Sequence, residues 1–350
     1  MVRRLITAAI VSLFTMLSVV GGANQAQAAK VPPPTQVCTF GQKPLNGVSG
    51  MTLGIRNRGV LWVTNGADGG PTIYAVDAAT CAVRATIELA RVAGRNLQAI
   101  VSGRDDAGQP VLWIGDFGDA KEEYPFVRIY QIPEPSLKSQ TVDVRAWRFR
   151  YPEGSRNTEA LVVDALKPRL WVVTKELTGS AIYALPPLPP VGLGEVWTTP
   201  LVATQVAPTT DLITDAAMSN DNSRFVLRTL VTAEVFGGLP PGTSITTLNM
   251  PTQPQGSAVA WAADGRSLYV AGAHEGILWN VPLPDVAWTR TAQKKAAADL
   301  AAGEQSSSLS TYLLIGAGLI AALLGLNMLR LRRRDRQREF RFEQRARGRR

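Results

Sequence analysis

Five short apolar runs recur along the chain, each followed by a turn and a second apolar run. The first set is "GVLWVTN" from Gly59, "PVLWIGD" from Pro110, "RLWVVTK" from Arg169, "RFVLRTL" from Arg224 and "SLYVAGA" from Ser267. These runs are rich in β-branched and aromatic residues and are bounded by Gly, Pro, Asn and Asp, which is how strands read. Their hairpin partners are "PTIYAVD", "FVRIYQIPEP", "SAIYALPPLP", "TAEVF" and "GILWNVPLP". Aligning Trp62, Trp113, Trp171, Val226 and Tyr269 gives a repeat of roughly 50 residues.

A further strand precedes each run, with a polar residue followed by a small one: Ser49-Gly50, Gln98-Ala99, Glu159-Ala160, Asp215-Ala216 and Ser257-Ala258. Small residues let strands converge tightly, as they must around a central axis. Four strands per unit at this period predict an all-β fold, a five-bladed β-propeller. Six blades result if "TVDVRAWRFRYP" (Thr141 to Pro152) forms a unit of its own. An immunoglobulin-like sandwich would be shorter and would not repeat at this period. The segment "QVCTF" from Gln36 is expected to close the ring as the outer strand of the last blade.

Charge changes the picture only at the two ends. The chain carries 37 Lys and Arg against 28 Asp and Glu, a net charge of +9. Residues 330–350 hold eleven arginines against Asp335, Glu339 and Glu343, and Arg3 and Arg4 stand at the start. The long middle is therefore close to neutral. The start has a basic n-region, an apolar stretch from Leu5 to Val20 and the small-residue pattern Ala26-Gln27-Ala28, as in a secretory signal peptide. Leu309 to Leu329 is an uncharged apolar stretch long enough to span a bilayer. Arginines packed against its far end fix that end in the cytoplasm.

The organisation expected is a signal peptide (1–28), a propeller ectodomain (29–290), a juxtamembrane linker (291–308), a transmembrane helix (309–329) and an Arg-rich cytoplasmic tail (330–350). That makes a single-pass type I protein of the cell membrane with the propeller outside. The tail reads as a stop-transfer flank with attraction to anionic inner-leaflet lipid. It lacks the aromatic interleaving of a nucleic-acid site, so no nucleic-acid partner is expected. The only cysteines, Cys38 and Cys81, both fall in the exported part. In an oxidising compartment such a pair reads as a disulfide, here across the seam between the last and first blades; the alternative is two buried thiols.

Candidate chemistry centres on the polar column of Ser49, Gln98, Glu159, Asp215 and Ser257, expected to face the channel. Glu159 and Asp215, with Asp116 nearby, supply oxygen ligands suited to calcium. Alternatively these groups line a wet channel and are hydrogen-bonded to water. Arg228 sits mid-strand, and Asp215 on the preceding strand is its natural ion-pair partner. His274 is the only histidine, which excludes multi-histidine zinc sites. A serine triad would need His274 with Ser49 or Ser257, and neither serine has a G-x-S-x-G context.

Several stretches, in order, carry a resemblance: "IGDFGDA", "RFRYPEGSRNTEALVVD", "VVTKE", "TDAAMSNDNSRFVLRTL" and "QPQGSAVAWAADGRSLYV". They resemble exported actinobacterial propeller proteins, themselves loosely similar to esterase-like phytase and gluconolactonase-type propellers. The resemblance implies a carboxylate-lined axis, matched here by Asp116, Asp119 and Glu159. Ala120 stands where Asn is usual, Ser257 where Glu is usual and Gln98 where an acid is common. The expected function is therefore a membrane-anchored binding or scaffold module for an extracytoplasmic ligand. The alternative is a calcium-dependent lactonase or phosphoesterase.

Overall fold

In the computed structural model, residues 31–287 are described, apart from 42–43, 67–69, 165–166, 178, 210 and 275. The signal peptide, linker, membrane span and Arg-rich tail expected from sequence lie outside these residues. Among the described residues no helix is long and apolar enough to cross a membrane.

The chain opens with β1 (Thr35–Thr39) and then lays down β2 (Val48–Leu53), β3 (Val60–Asn65), β4 (Thr72–Asp77) and β5 (Val83–Leu89). Next come β6 (Leu97–Arg104), β7 (Pro110–Asp116), β8 (Val127–Pro133), β9 (Gln140–Val142) and β10 (Arg145–Arg150). They are followed by β11 (Thr158–Val163), β12 (Leu170–Thr174), β13 (Ala181–Ala184), β14 (Val196–Val202) and β15 (Thr204–Pro208). The last strands are β16 (Asp215–Met218), β17 (Arg224–Arg228), β18 (Thr232–Gly237), β19 (Thr243–Asn249), β20 (Gln255–Trp261), β21 (Ser267–Ala273) and β22 (Ile277–Pro282).

These strands form five sheets, each built on a four-stranded antiparallel meander or its equivalent, whose inner strands are β2, β6, β11, β16 and β20. The fold is a five-bladed propeller. β1 pairs antiparallel with β22 and completes the fifth blade, closing the ring as the sequence suggested. The disulfide joins Cys38 on β1 to Cys81, just before β5, with Cα atoms 5.7 Å apart. It therefore fastens the seam between blades 5 and 1. Cys81 sits in a turn that Asp77 organises: its backbone oxygen accepts the Cys81 amide at 2.8 Å, and its side chain accepts the amides of Ala79 and Thr80.

The six-blade alternative is corrected. "TVDVRAWRFRYP" contributes to two edges: β9 adds parallel to β5 of blade 1, and β10 is the fourth strand of blade 2. The segment has no inner strand, so it builds no sheet of its own. Blade 3 makes a similar excursion, sending β14 back to pair parallel with β10 of blade 2.

Apolar packing explains why the middle strands read as continuous hydrophobic runs. Every residue of β3 and β12 is buried, because a blade is covered by a neighbour on both faces. Five buried clusters follow the five seams. One, for example, joins Trp62 and Ile73 of blade 1 to Ile100 and Ile114 of blade 2. Another joins Trp113 and Trp147 of blade 2 to Val163 and Tyr183 of blade 3. The outer strands β14 and β19 are largely exposed and correspondingly mixed in character.

Candidate functional site

The polar column stands at the leading ends of the inner strands, and four of its five members occupy β-bulges. The register slips between Val48 and Gly50, Leu97 and Ala99, Thr158 and Ala160, and Gly256 and Ala258. Ser49, Gln98, Glu159 and Ser257 are therefore the extra residues, and a bulge re-aims the side chain it carries. The fifth strand differs. Asp215 pairs directly with Arg228 without a bulge. The small residue after each polar one follows from crowding at the axis. A Cβ on Gly50 would lie 2.8 Å from the carbonyl oxygen of Gln98 and 2.9 Å from the Cα of Ala99.

Ser49, Gln98, Glu159 and Ser257 line a cavity of about 130 Å³ together with Lys175 and Thr214. His274 stands at the same mouth, exposed, in a left-handed turn after β21 with φ 69°. Asp215 is 1% exposed and is absent from this lining; its neighbour Thr214 takes the channel position.

Most of these polar groups are tied to protein partners. Ser49 Oγ donates to the Leu97 carbonyl at 2.7 Å, crossing from blade 1 to blade 2. Ser257 Oγ donates to the Val48 carbonyl, crossing from blade 5 to blade 1. Asp215 Oδ2 accepts the Val259 amide at 2.8 Å, crossing from blade 4 to blade 5, while Oδ1 accepts the Ala216 amide at 2.8 Å. Gln98 Nε2 donates to Asn96 Oδ1 at 3.1 Å. Glu159 forms an ion pair with Lys175 at 3.4 Å. Burial nonetheless holds the Glu159 carboxyl above its usual range, with Lys175 opposing the rise.

Arg228 is fully buried. It donates through Nη1 to the carbonyls of Ala258 and Ala271, and through Nη2 to Gln253 Oε1. The expected pairing of Arg228 with Asp215 survives as strand register and as an electrostatic influence that lowers the Asp215 pKa. The hydrogen bonds just named run to carbonyls of blade 5 and to the segment that leads into it. Burial is the larger effect on Asp215 and pushes its carboxyl well above the usual range.

The three proposed metal ligands are not gathered at one point. Asp116 accepts the Asn96 amide and the Tyr130 hydroxyl, both at 2.8 Å, and lies 3.9 Å from Arg128. Asp119, also implied by the resemblance, accepts the amides of Glu123 and Tyr124 and so shapes its own loop. Among the described residues no group of three or more His, Cys, Asp or Glu side chains is placed to hold a metal.

At the trailing ends of the inner strands the axis widens into a cavity of about 460 Å³. Thr52, Ser102, Met218 and Trp261 lie on its walls, with Arg58 and Arg104 at its rim. Sequence reasoning missed both this larger opening and the residue that organises its edge. Glu134, 2% exposed, accepts the amides of Ile55, Arg56 and Asn57 together with the side chains of Asn57 and Trp62. Its signal was an acid between two prolines in "QIPEP", at the end of a strand otherwise buried.

No protein-family model and no curated protein matches this sequence. Several solved structures are similar to the chain at low identity. The PQQ-bound aldose sugar dehydrogenase of Streptomyces coelicolor is 16% identical, with a TM-score of 0.42 over 72% of this chain and 97% of that one. A gluconolactonase of Xanthomonas campestris is 13% identical, with a TM-score of 0.42 over 73% of this chain and 97% of its own. Raptor of Chaetomium thermophilum is 13% identical, with a TM-score of 0.37 over 71% of this chain and 29% of that one.

Proposed function

We propose that the chain is a membrane-anchored extracytoplasmic propeller that acts as a binding or scaffold module. One observation carries this reading: the polar residues nearest the axis bond to the protein itself. Ser49, Ser257 and Asp215 each join one blade to the next, and Glu159 is matched by Lys175. A serine nucleophile needs a base as its hydrogen-bond partner, whereas both hydroxyls here donate to backbone carbonyls. The wider cavity at the opposite end is the natural seat for an extracytoplasmic ligand. The apolar stretch 309–329 supplies the anchor, and the arginine tail supplies contact with anionic inner-leaflet lipid.

Calcium titration of the full-length protein, followed by thermal melting and by turnover of lactone and phosphoester substrates, tests the reading. The expected result is no calcium-dependent shift and no turnover. Stabilisation of about 2.7 kcal/mol at 100 times the dissociation constant, abolished by Glu159→Gln, would establish the calcium-dependent hydrolase instead. Topology is checked separately. Protease added to intact cells should remove the propeller and spare a C-terminal tag.

A further inference from the structure

Three guanidinium groups converge at the leading end of blade 2, outward from the axis. Arg95 precedes β6, Arg128 stands near the start of β8 and Arg148 lies on β10. Arg128 and Arg148 are direct cross-strand partners, a register in which like charges repel. Their guanidinium carbons lie 5.2 and 4.6 Å from the centre of the Phe126 ring, and that of Arg95 lies 5.9 Å from it. Arg95 also covers Tyr124 at 3.9 Å. Aromatic faces attract cations, but they supply no oxygen and leave the positive charge in place.

Little else in the neighbourhood balances that charge. Among the described residues, Asp116 is the one carboxylate paired with the cluster, 3.9 Å from Arg128 Nη1, and it already accepts the Tyr130 hydroxyl and the Asn96 amide. Arg95 Nη2 donates to the Phe126 carbonyl at 3.0 Å. Among the described residues, Arg95 and Arg148 enter no ion pair. Three buried nitrogens, Arg95 Nε, Arg128 Nη1 and Arg148 Nε, have no hydrogen-bond acceptor among the described residues. Three cations thus face a single carboxylate, and donors from three separate side chains lack oxygens.

We propose that this cluster binds a tetrahedral oxyanion, a phosphate or sulfate group. Guanidinium groups present their N–H donors in a planar fork that matches such anions, and a doubly charged group would balance the two excess cations. The partly buried setting strengthens the attraction relative to open solvent. This site is separate from both axial cavities, so its test stands or falls apart from the reading of the axis.

The test titrates full-length protein with inorganic phosphate, sulfate and glycerol 3-phosphate at constant ionic strength. Chloride serves as the control, and melting temperature and calorimetric binding are the readouts. At least one oxyanion should give saturable stabilisation that chloride does not. Arg148→Gln should then weaken its binding tenfold or more. Because Arg148 also packs on Phe126, Arg95→Gln is run in parallel and should weaken binding similarly, whereas Arg91→Gln, whose arginine pairs with Asp143, should not. Binding of glycerol 3-phosphate at least tenfold tighter than inorganic phosphate would identify an ester as the source of the group; equal binding would identify the free ion. The proposal is overturned if no oxyanion acts differently from chloride. It is equally overturned if binding survives unchanged in whichever of the two cluster variants folds.

Discussion

Glu134 Oε1 accepts the indole N–H of Trp62 at 3.0 Å, joining the end of β8 in blade 2 to the core of blade 1. The same carboxylate holds the amides of Ile55, Arg56 and Asn57, so one acid fixes the β2–β3 turn that borders the larger axial cavity. Buried donors stripped of their acceptor incur their desolvation cost. Glu134→Ala should therefore lower unfolding free energy by about 3 kcal/mol or more. Glu134→Gln, which keeps an acceptor but turns an NH₂ toward other donors, should lose somewhat less. Urea denaturation checks both.

Arg228 makes a second inter-blade tie, from β17 to carbonyls on β20 and β21. Arg228→Ala leaves those buried oxygens without these donors, and a loss of about 3 kcal/mol is expected. Arg228→Lys should restore only part of it, because an ammonium cannot span the same acceptors as a planar fork. An unchanged denaturation midpoint in the alanine variant would contradict the assignment.

Asp215 makes a signed prediction about pH. Its carboxyl is held well above 3.8 by burial, with backbone amides and Arg228 opposing. The folded chain thus binds this proton more tightly than the unfolded chain does. The group favours folding most below its unfolded value and loses that contribution as pH rises through the raised value. The stability of the natural protein relative to Asp215→Asn should accordingly increase as pH falls from neutral toward 3.8. A difference that is flat with pH, or that shrinks on acidification, would contradict it.

The bond between Cys38 and Cys81 should be visible as linked peptides in non-reducing mass mapping. Cys81→Ser should lower stability by about 2–5 kcal/mol. Thermal melting with and without a thiol reductant gives an independent reading of the same quantity.

The blade repeat was legible because Trp62, Trp113 and Trp171 mark equivalent buried positions in strands that share one local pattern. The column was legible too, because a polar residue before a small one recurs in every inner strand. What those residues do was not. Whether Ser49 Oγ faces a ligand or the Leu97 carbonyl depends on a bulge and on the neighbouring blade, and neither leaves a local signature. Asp215 shared the dyad, yet its strand lacks the bulge and its side chain turns toward Val259. The placement of β9 was hidden for a related reason: three residues pairing parallel with a distant edge carry no period to read. Arg95, Arg128 and Arg148 are scattered in sequence and meet only through the sheet.

The position of the disulfide has a topological consequence. β1 belongs by hydrogen bonding to the last blade but is tied covalently to the first. Parting blade 5 from blade 1 would separate β1 from β22 without setting β1 adrift, since it stays leashed beside β5. The leash spans 43 residues, whereas the β1–β22 pairing encircles the whole ring, and the entropic cost of closing a loop grows with its length. The crosslink thus keeps β1 beside the first blade while its pairing partner β22 arrives from the far end of the ring, so the closing strand is held at once by a short covalent loop and by a ring-long hydrogen-bonded one.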